Sequence, residues 1–185
     1  MERTVLRAKT WLIGLAVVAS PLMLASLLHA QQSANPPAAA GDKVAAPAGG
    51  TMTPVQKADS APKGTLKNPY QDSDQAVVES GQKLFFKYGC NGCHGGNGGG
   101  GMCPPLSNDT WVYGGDDDTL FRLVAYGTQT LQEKGYTRKG MENVVGPMPQ
   151  MGQVVQTDDD LWRILAFVRS NYHGSPECKF GCGGQ

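Results

Sequence analysis

This 185-residue chain lacks an excess of either charge: 16 Lys and Arg balance 16 Asp and Glu. It has no basic surplus to neutralise a phosphate backbone, and its main domain carries two acidic runs, Asp116, Asp117, Asp118 and Asp158, Asp159, Asp160. Both features argue against nucleic acid as a partner. Convincing strands are also missing. The segments between helical stretches hold Gly, Pro and polar residues without period-2 alternation, so no βαβ setting is readable. Large apolar side chains almost vanish between residues 31 and 70, a stretch of Ala, Pro, Gly and Ser. Such a segment buries too little surface to offset its ordering entropy, and it reads as a flexible tether.

The first 30 residues read as a leader. Arg3, Arg7 and Lys9 stand against Glu2, and an apolar stretch running to Ala30 follows. This is the shape of a secretory signal. The run also approaches the roughly 20 residues that span a bilayer, so an uncleaved anchor is the alternative. Pro21 and the polar end of the run favour cleavage. Either form sends the rest of the chain across the membrane into an oxidising compartment, the periplasm. With the leader's three basic residues and one acidic residue removed, 13 basic and 15 acidic residues remain. The acidic runs suit helix starts, where carboxylates meet the dipole. They also suit docking on a basic protein face.

The expected organisation is a leader over 1–30, a linker over 31–70, one domain over 71–173 and a Cys-containing tail over 174–185. Within the domain the spacing predicts three helices. The first covers residues 75–88 with Ser73 as N-cap, and places Val77, Gly81, Leu84, Phe85 and Tyr88 on one face. A glycine inside that face makes sense if another backbone crosses there. The second covers 117–126, capped by Asp116 or Asp117, with Gly127 as the C′ residue. The third covers 158–171; Thr157 and Asp160 resemble a capping box, and Leu161, Ile164, Leu165, Val168 and Tyr172 form its inner stripe. Three short helices with this much loop make a thin core, so something other than side chains is expected to fill it.

Cys90, Cys93 and His94 give C-x-x-C-H, the pattern of covalent haem c attachment. The thiols reach the two vinyl groups on one porphyrin edge, and the next residue sets its imidazole under the iron. A dithiol redox motif would not need the histidine. A zinc site with Cys178 and Cys182 has acceptable spacing, and a Cys90–Cys93 disulfide would close a strained loop. The stretch "GPMPQMG" then offers a sixth ligand. Met148 lies between Pro147 and Pro149, which stiffen the loop around its sulfur. Met151 is near enough to compete, and Met141 suits packing. Met102 is too close to His94 in sequence to reach the opposite face easily. No His or Arg stands beside the methionine loop, which argues against a haem enzyme or sensor with an open sixth site.

The order helix, C-x-x-C-H, Gly-rich loop, "PPL", short helix, Met-Pro loop, terminal helix closely resembles the class I cytochromes c over the whole domain. The resemblance implies an all-α fold, three main helices and long loops wrapped around one covalent haem. It implies that the first and last helices cross near Gly81. It further implies that the Pro104 carbonyl receives the other ring N–H of His94, that Leu106 touches the porphyrin, and that His94 and Met148 hold the iron. The expected role is a one-electron carrier, not an enzyme, with redox proteins as partners: a dehydrogenase as donor and a terminal oxidase or second cytochrome as acceptor. A membrane is a partner only if the leader stays uncleaved, as in a cytochrome subunit of an oxidase or dehydrogenase complex.

"GGNGGGGMCPPLSNDTWVYGG" narrows the resemblance to the cytochromes that accept electrons from periplasmic PQQ-dependent alcohol dehydrogenases, including those that oxidise methanol. Trp111 and Tyr113 are read either as partners of a haem propionate or as core. Arg122, Arg163 and Arg169 are read as helix-surface residues. Cys103 stands where the family has glycine. Since the family's last helix ends near that loop, a Cys103 disulfide to the tail is the first expectation, Cys178 with Cys182 the second, and a free buried Cys103 the third.

Overall fold

A computed structural model describes residues 50–107, 109, 111–140, 146–175 and 178–180. All of them fall in the unit from Ala39 to Gln185. The leader, Met141 and Cys182 lie outside the described residues. Helices α1 (Pro54–Ser60), α2 (Gln75–Lys87), α3 (Asn91–His94), α4 (Asp117–Glu133) and α5 (Asp158–Ser170) follow one another, with a 3₁₀ turn at Met151–Gln153 before α5. No strand occurs among the described residues, and the architecture is all-α, as the resemblance implied.

α2 and α5 form the principal helix pair. Val77, Gly81 and Phe85 of α2 are buried, and Phe85 meets Phe167 of α5 with ring centroids 5.3 Å apart. At Gly81 a Cβ would collide with the backbone carbonyl of Arg163. The glycine's cost to the helix is offset by this approach of two backbones, which no larger residue permits. The caps shift slightly from expectation. Asp74, not Ser73, caps α2, accepting from the backbone N–H groups of Ala76 and Val77 at 3.0 and 3.3 Å. Asp116 caps α4 through Thr119 N–H at 2.9 Å. Thr157 caps α5 through Asp160 N–H at 3.1 Å, while the Asp160 carboxylate accepts from the Tyr88 hydroxyl.

The expected linker is shorter than 31–70. From Thr53 onward the chain packs as an arm that sequence periodicity did not show. Thr53 and Gln56 make a reciprocal capping box around Pro54 at the first helical turn of α1. Ala58 and Leu66 are buried, and Asn68 Nδ2 donates to the Trp162 carbonyl at 3.0 Å. This arm explains why α5 is buried beyond its inner stripe. Trp162 stacks on Phe121 at 4.2 Å, under the arm rather than in water. A short helix with few apolar residues is held by donors and acceptors from α4, which are invisible in its own pattern.

Those partners correct a second expectation. Arg122, Arg163 and Arg169 are buried, not on helix surfaces, with 5, 4 and 2% exposure. Arg122 pairs with Asp118 at 2.9 Å and donates to the carbonyls of Ala58, Ala61 and Pro62, closing the C-terminus of α1. Arg163 pairs with Asp159 at 2.9 Å and reaches the Tyr70 hydroxyl. Arg169 pairs with Asp117 at 2.7 Å and lies under Phe180 of the tail. Asp117, Asp118 and Asp159 of the two acidic runs are therefore paired inside the fold, and Asp158 is buried beside them. Burial pushes the Asp118 carboxyl upward, but hydrogen bonds from Arg122, Tyr136 and the Leu66 and Gly64 backbone outweigh it and hold its pKa below the ordinary value.

A depressed carboxyl contributes stability that is present above its unfolded pKa and lost as pH falls through the folded one. Asp118→Asn leaves the Arg122 charge buried and unpaired, at a cost of about 3–5 kcal/mol near pH 7. Thermal melts of the haem-loaded protein should show a gap between wild type and variant that narrows as pH drops below about 4. A gap of constant size from pH 7 to pH 3 would contradict this role.

Candidate cofactor site

An apolar cavity opens behind the α2–α5 crossing. Its volume, mouth included, is about 1040 Å³. Leu120, Leu123 and Val124 of α4 and Ile164, Leu165 and Val168 of α5 supply much of the wall.

Cys90, Cys93 and His94 occupy a single helical turn. His94 N–H donates to the Cys90 carbonyl at 3.0 Å, so Cys90 and His94 lie one above the other, and both line the cavity. The Gly-rich loop then folds back. Gly100 N–H donates to the His94 carbonyl at 2.9 Å, and Cys103 N–H to the Cys93 carbonyl at 3.0 Å. This return brings Pro104 beneath the imidazole, where His94 Nδ1 lies 3.0 Å from the Pro104 carbonyl oxygen. A carbonyl only accepts, so Nδ1 carries the proton and the Nε2 lone pair is left for a metal. Leu106 lines the cavity beside them. Burial pushes the Cys90 thiol up to about 11, the opposite of an activated redox dithiol.

Met148 lies on the same cavity. Its position is set by a break in α4. Gly127, expected as the end of the helix, has φ 72° and ψ 172°, yet the helix resumes after it and runs to Glu133. A Cβ on Gly127 would stand 2.8 Å from the Met148 carbonyl oxygen and 2.7 Å from Gln150 N. Next to it, Thr128 N–H donates to the Met148 carbonyl and Met148 N–H donates to Thr128 Oγ1, both at 2.9 Å. Thr128 was missed by sequence reasoning; the signal available was a hydroxyl residue directly after the helix-breaking glycine. Met151 packs against the hydrophobic core, and Met102 is 63% exposed.

The rim holds an orphan. Trp111 lines the cavity and stacks on Tyr172 at 5.8 Å, but its indole Nε1–H is buried without an acceptor. Leaving such a donor unsatisfied costs about 1–3 kcal/mol. The Tyr113 hydroxyl oxygen accepts from Gln132 Nε2 at 2.8 Å, which leaves its own O–H to donate. Apolar walls, the Cys90 thiol with Cys93 on the same helical turn, an imidazole with a free Nε2, a methionine and an unpaired donor at the rim fit a haem.

The tail departs from the first expectation. Cys103 carries a free thiol, as do Cys90 and Cys93, while Cys178 is disulfide-bonded. Cys103 is therefore not tied to the tail, and Cys178 is not a zinc ligand. The loop that carries Cys103 is held by its own backbone bonds to Cys93 and brings the side chain to the cavity instead.

The profile of the Cytochrome c family matches residues 78–171, half of the chain. The chain belongs to the cytochrome c family; it is a monohaem electron carrier, and its cofactor is covalently bound c-type haem. Among its relatives are two proteins described as Cbb3-type cytochrome c oxidase subunit FixP. The one from Sinorhizobium medicae (strain WSM419) is 32% identical over 52% of this chain and 30% of its own length. The one from Rhizobium meliloti (strain 1021) is 30% identical over 62% of this chain and 36% of its own length. The chain thus spans about a third of the length of these curated relatives. A solved structure, cytochrome CL from the marine methylotrophic bacterium Methylophaga aminisulfidivorans MPT, is 26% identical with a TM-score of 0.47, covering 69% of this chain and 74% of that one. Among the described residues no helix is long and apolar enough to cross a membrane.

Gly127→Ala should loosen the methionine loop. A positive-φ extended conformation, which essentially only glycine adopts, costs another residue about 1–3 kcal/mol before any clash with Met148 is counted. Thr128→Val, which removes only the hydroxyl, should cost about 1 kcal/mol. Denaturant unfolding of the haem-loaded protein checks both; a Gly127→Ala variant as stable as wild type would rule out the close approach.

Proposed function

We propose that this chain is a periplasmic one-electron carrier whose haem is bonded through Cys90 and Cys93 and ligated by His94 and Met148. The observation that carries the reading is that His94, its tautomer set by Pro104, and Met148, pinned by Thr128, line one apolar cavity. Bound there, the haem supplies reversible one-electron chemistry at its iron. The chain's own residues orient and insulate it. Pro104 keeps the His94 lone pair aimed inward. Thr128 and the flanking prolines hold the Met148 sulfur in place, so little reorganisation accompanies a change of charge. Leu106 and the α4 and α5 side chains exclude water, and a thioether ligand favours the reduced state.

For the donor, the loop from Gly95 to Gly115 supports a PQQ-dependent alcohol dehydrogenase, which would hand over one electron at a time. The curated relatives, described as oxidase subunits, support a second reading in which the chain serves a terminal oxidase directly. Neither reading uses the acidic runs for docking, because Asp117, Asp118 and Asp159 are paired with arginines and Asp158 is buried. The leader supports export across the inner membrane.

Visible spectroscopy tests the ligation. The oxidised protein should show the weak methionine–iron band toward the red end, lost in Met148→Ala and kept in Met151→Ala. A high-spin ferric spectrum in the native protein would sink the reading. Mixing the oxidised protein with a PQQ alcohol dehydrogenase and its alcohol should reduce the haem within the mixing experiment. Failure there, with rapid oxidation of the reduced protein by a cbb3-type oxidase, would favour the second donor–acceptor assignment.

A further inference from the structure

Cys103 is the thiol that the attachment motif leaves over, and the fold gives it a neighbour. Resting on the reading of Cys93 as an attachment residue, we propose that Cys93 and Cys103 form a disulfide in the chain before haem is attached, a reversible cap on the Cys93 sulfur. The glycine run builds the contact. Gly95 has φ 77°, and a Cβ there would stand 2.4 Å from the Gly100 carbonyl oxygen. A Cβ on Gly101 would stand 2.9 Å from the Cys93 carbonyl oxygen. Without side chains at these two positions the chain doubles back on the turn it has just left. Cys103 N–H then donates to the Cys93 carbonyl at 3.0 Å, and Gly101 N–H donates to the Cys103 carbonyl at 3.2 Å. A direct bond from one residue's N–H to the other's carbonyl holds their Cα atoms to roughly the 4.4–6.8 Å that a disulfide spans. The side chains follow, with the Cys103 thiol in hydrogen-bond contact with that of Cys93.

Among the described residues no other cysteine serves as well. Cys178 is already disulfide-bonded. Cys90 turns into the cavity and shares one helical turn with Cys93, so a bond between those two closes a tight ring. Cys93 and Cys103 are both half-buried, within reach of a small oxidant. The chemistry is thiol–disulfide exchange with a low-molecular-weight disulfide. One cysteine attacks it and releases the first reduced thiol; the other cysteine then displaces the second. The pair loses two protons and two electrons, and the oxidant's S–S bond takes them up. A dithiol reverses the step. Only the freed Cys93 thiol can add across a vinyl group, its sulfur bonding to one carbon and its proton passing to the other, with no oxidant consumed. Until then the internal bond keeps Cys93 from external thiols and from irreversible oxidation.

The full chain, made without haem attachment and equilibrated with oxidised glutathione, tests the pairing. Cyanogen bromide cleaves after Met102 and splits Cys103 from the attachment turn, so the two fragments stay together only if a disulfide joins them. Mass spectrometry should find them joined in wild type and in Cys90→Ser, and separate in Cys93→Ser and Cys103→Ser. Separate fragments in wild type would overturn the proposal. So would joined fragments in Cys93→Ser, which would make Cys90 the partner. In the same oxidising buffer, covalent haem left after acid–acetone extraction should be several-fold higher in Cys103→Ser than in wild type, and a dithiol should close that gap. Equal yields without the dithiol would also overturn it. The visible band of haem-loaded Cys93→Ser reports separately on attachment. A band unchanged from wild type would sink the attachment reading, while the cleavage still decides the pairing.

Discussion

Where α2 crosses α5, the space that a side chain of Gly81 would take is filled by the carbonyl of Arg163. This approach of two backbones sets where both helices point their larger residues. Phe85 on one side and Ile164, Leu165 and Val168 on the other turn toward a common cavity. These side chains line a space and do not fill it. A chain of this size with so few helices lacks the apolar volume to close its own interior, so the haem belongs to the core as well as to the chemistry. The loop that follows His94 and the loop that carries Met148 are short of regular structure because their task is to follow the cofactor's outline.

Electrostatics shape the other side of the molecule. α4 begins with two aspartates behind a capping third and α5 with three, and each places an arginine four residues after one of them. The resulting pairs, Asp118–Arg122 and Asp159–Arg163, sit beneath the N-terminal arm. Arg122 then reaches the last carbonyls of α1, 64 residues away from Ala58 in sequence. A buried ion pair of this kind adds little net stability over a well-packed apolar pair, but losing one partner is costly. Its value here lies in fixing the arm's register. The same kind of pairing commits Asp117, Asp118 and Asp159 internally, so partner encounter depends on other charges than those that dominate the sequence.

Local signals in the chain were easy to read where they were dense. The periodic stripes of α2 and α5, the caps to within one residue, and the C-x-x-C-H turn all depend on side chains three or four positions apart. The arm was missed although Thr53, Pro54 and Gln56 spell a capping box, because one cap cannot outweigh a segment so poor in apolar residues. Thr128 was missed because its partner, Met148, is 20 residues distant. The arginines were misplaced because helix faces that look solvent-exposed in isolation are covered, Arg122 and Arg163 by the arm and Arg169 by the tail.

The residue order by itself determined the covalent chemistry and the helical fold, since each is written in spacings the backbone cannot alter. Only the tertiary structure decided that Met148 and not Met151 borders the cavity, that Cys103 remains a thiol, and that three arginines are interior. It also exposed the unspent donor at the rim. Those outcomes are contacts between segments far apart in the chain, and they exist only after the backbone has closed around the space it leaves for the haem.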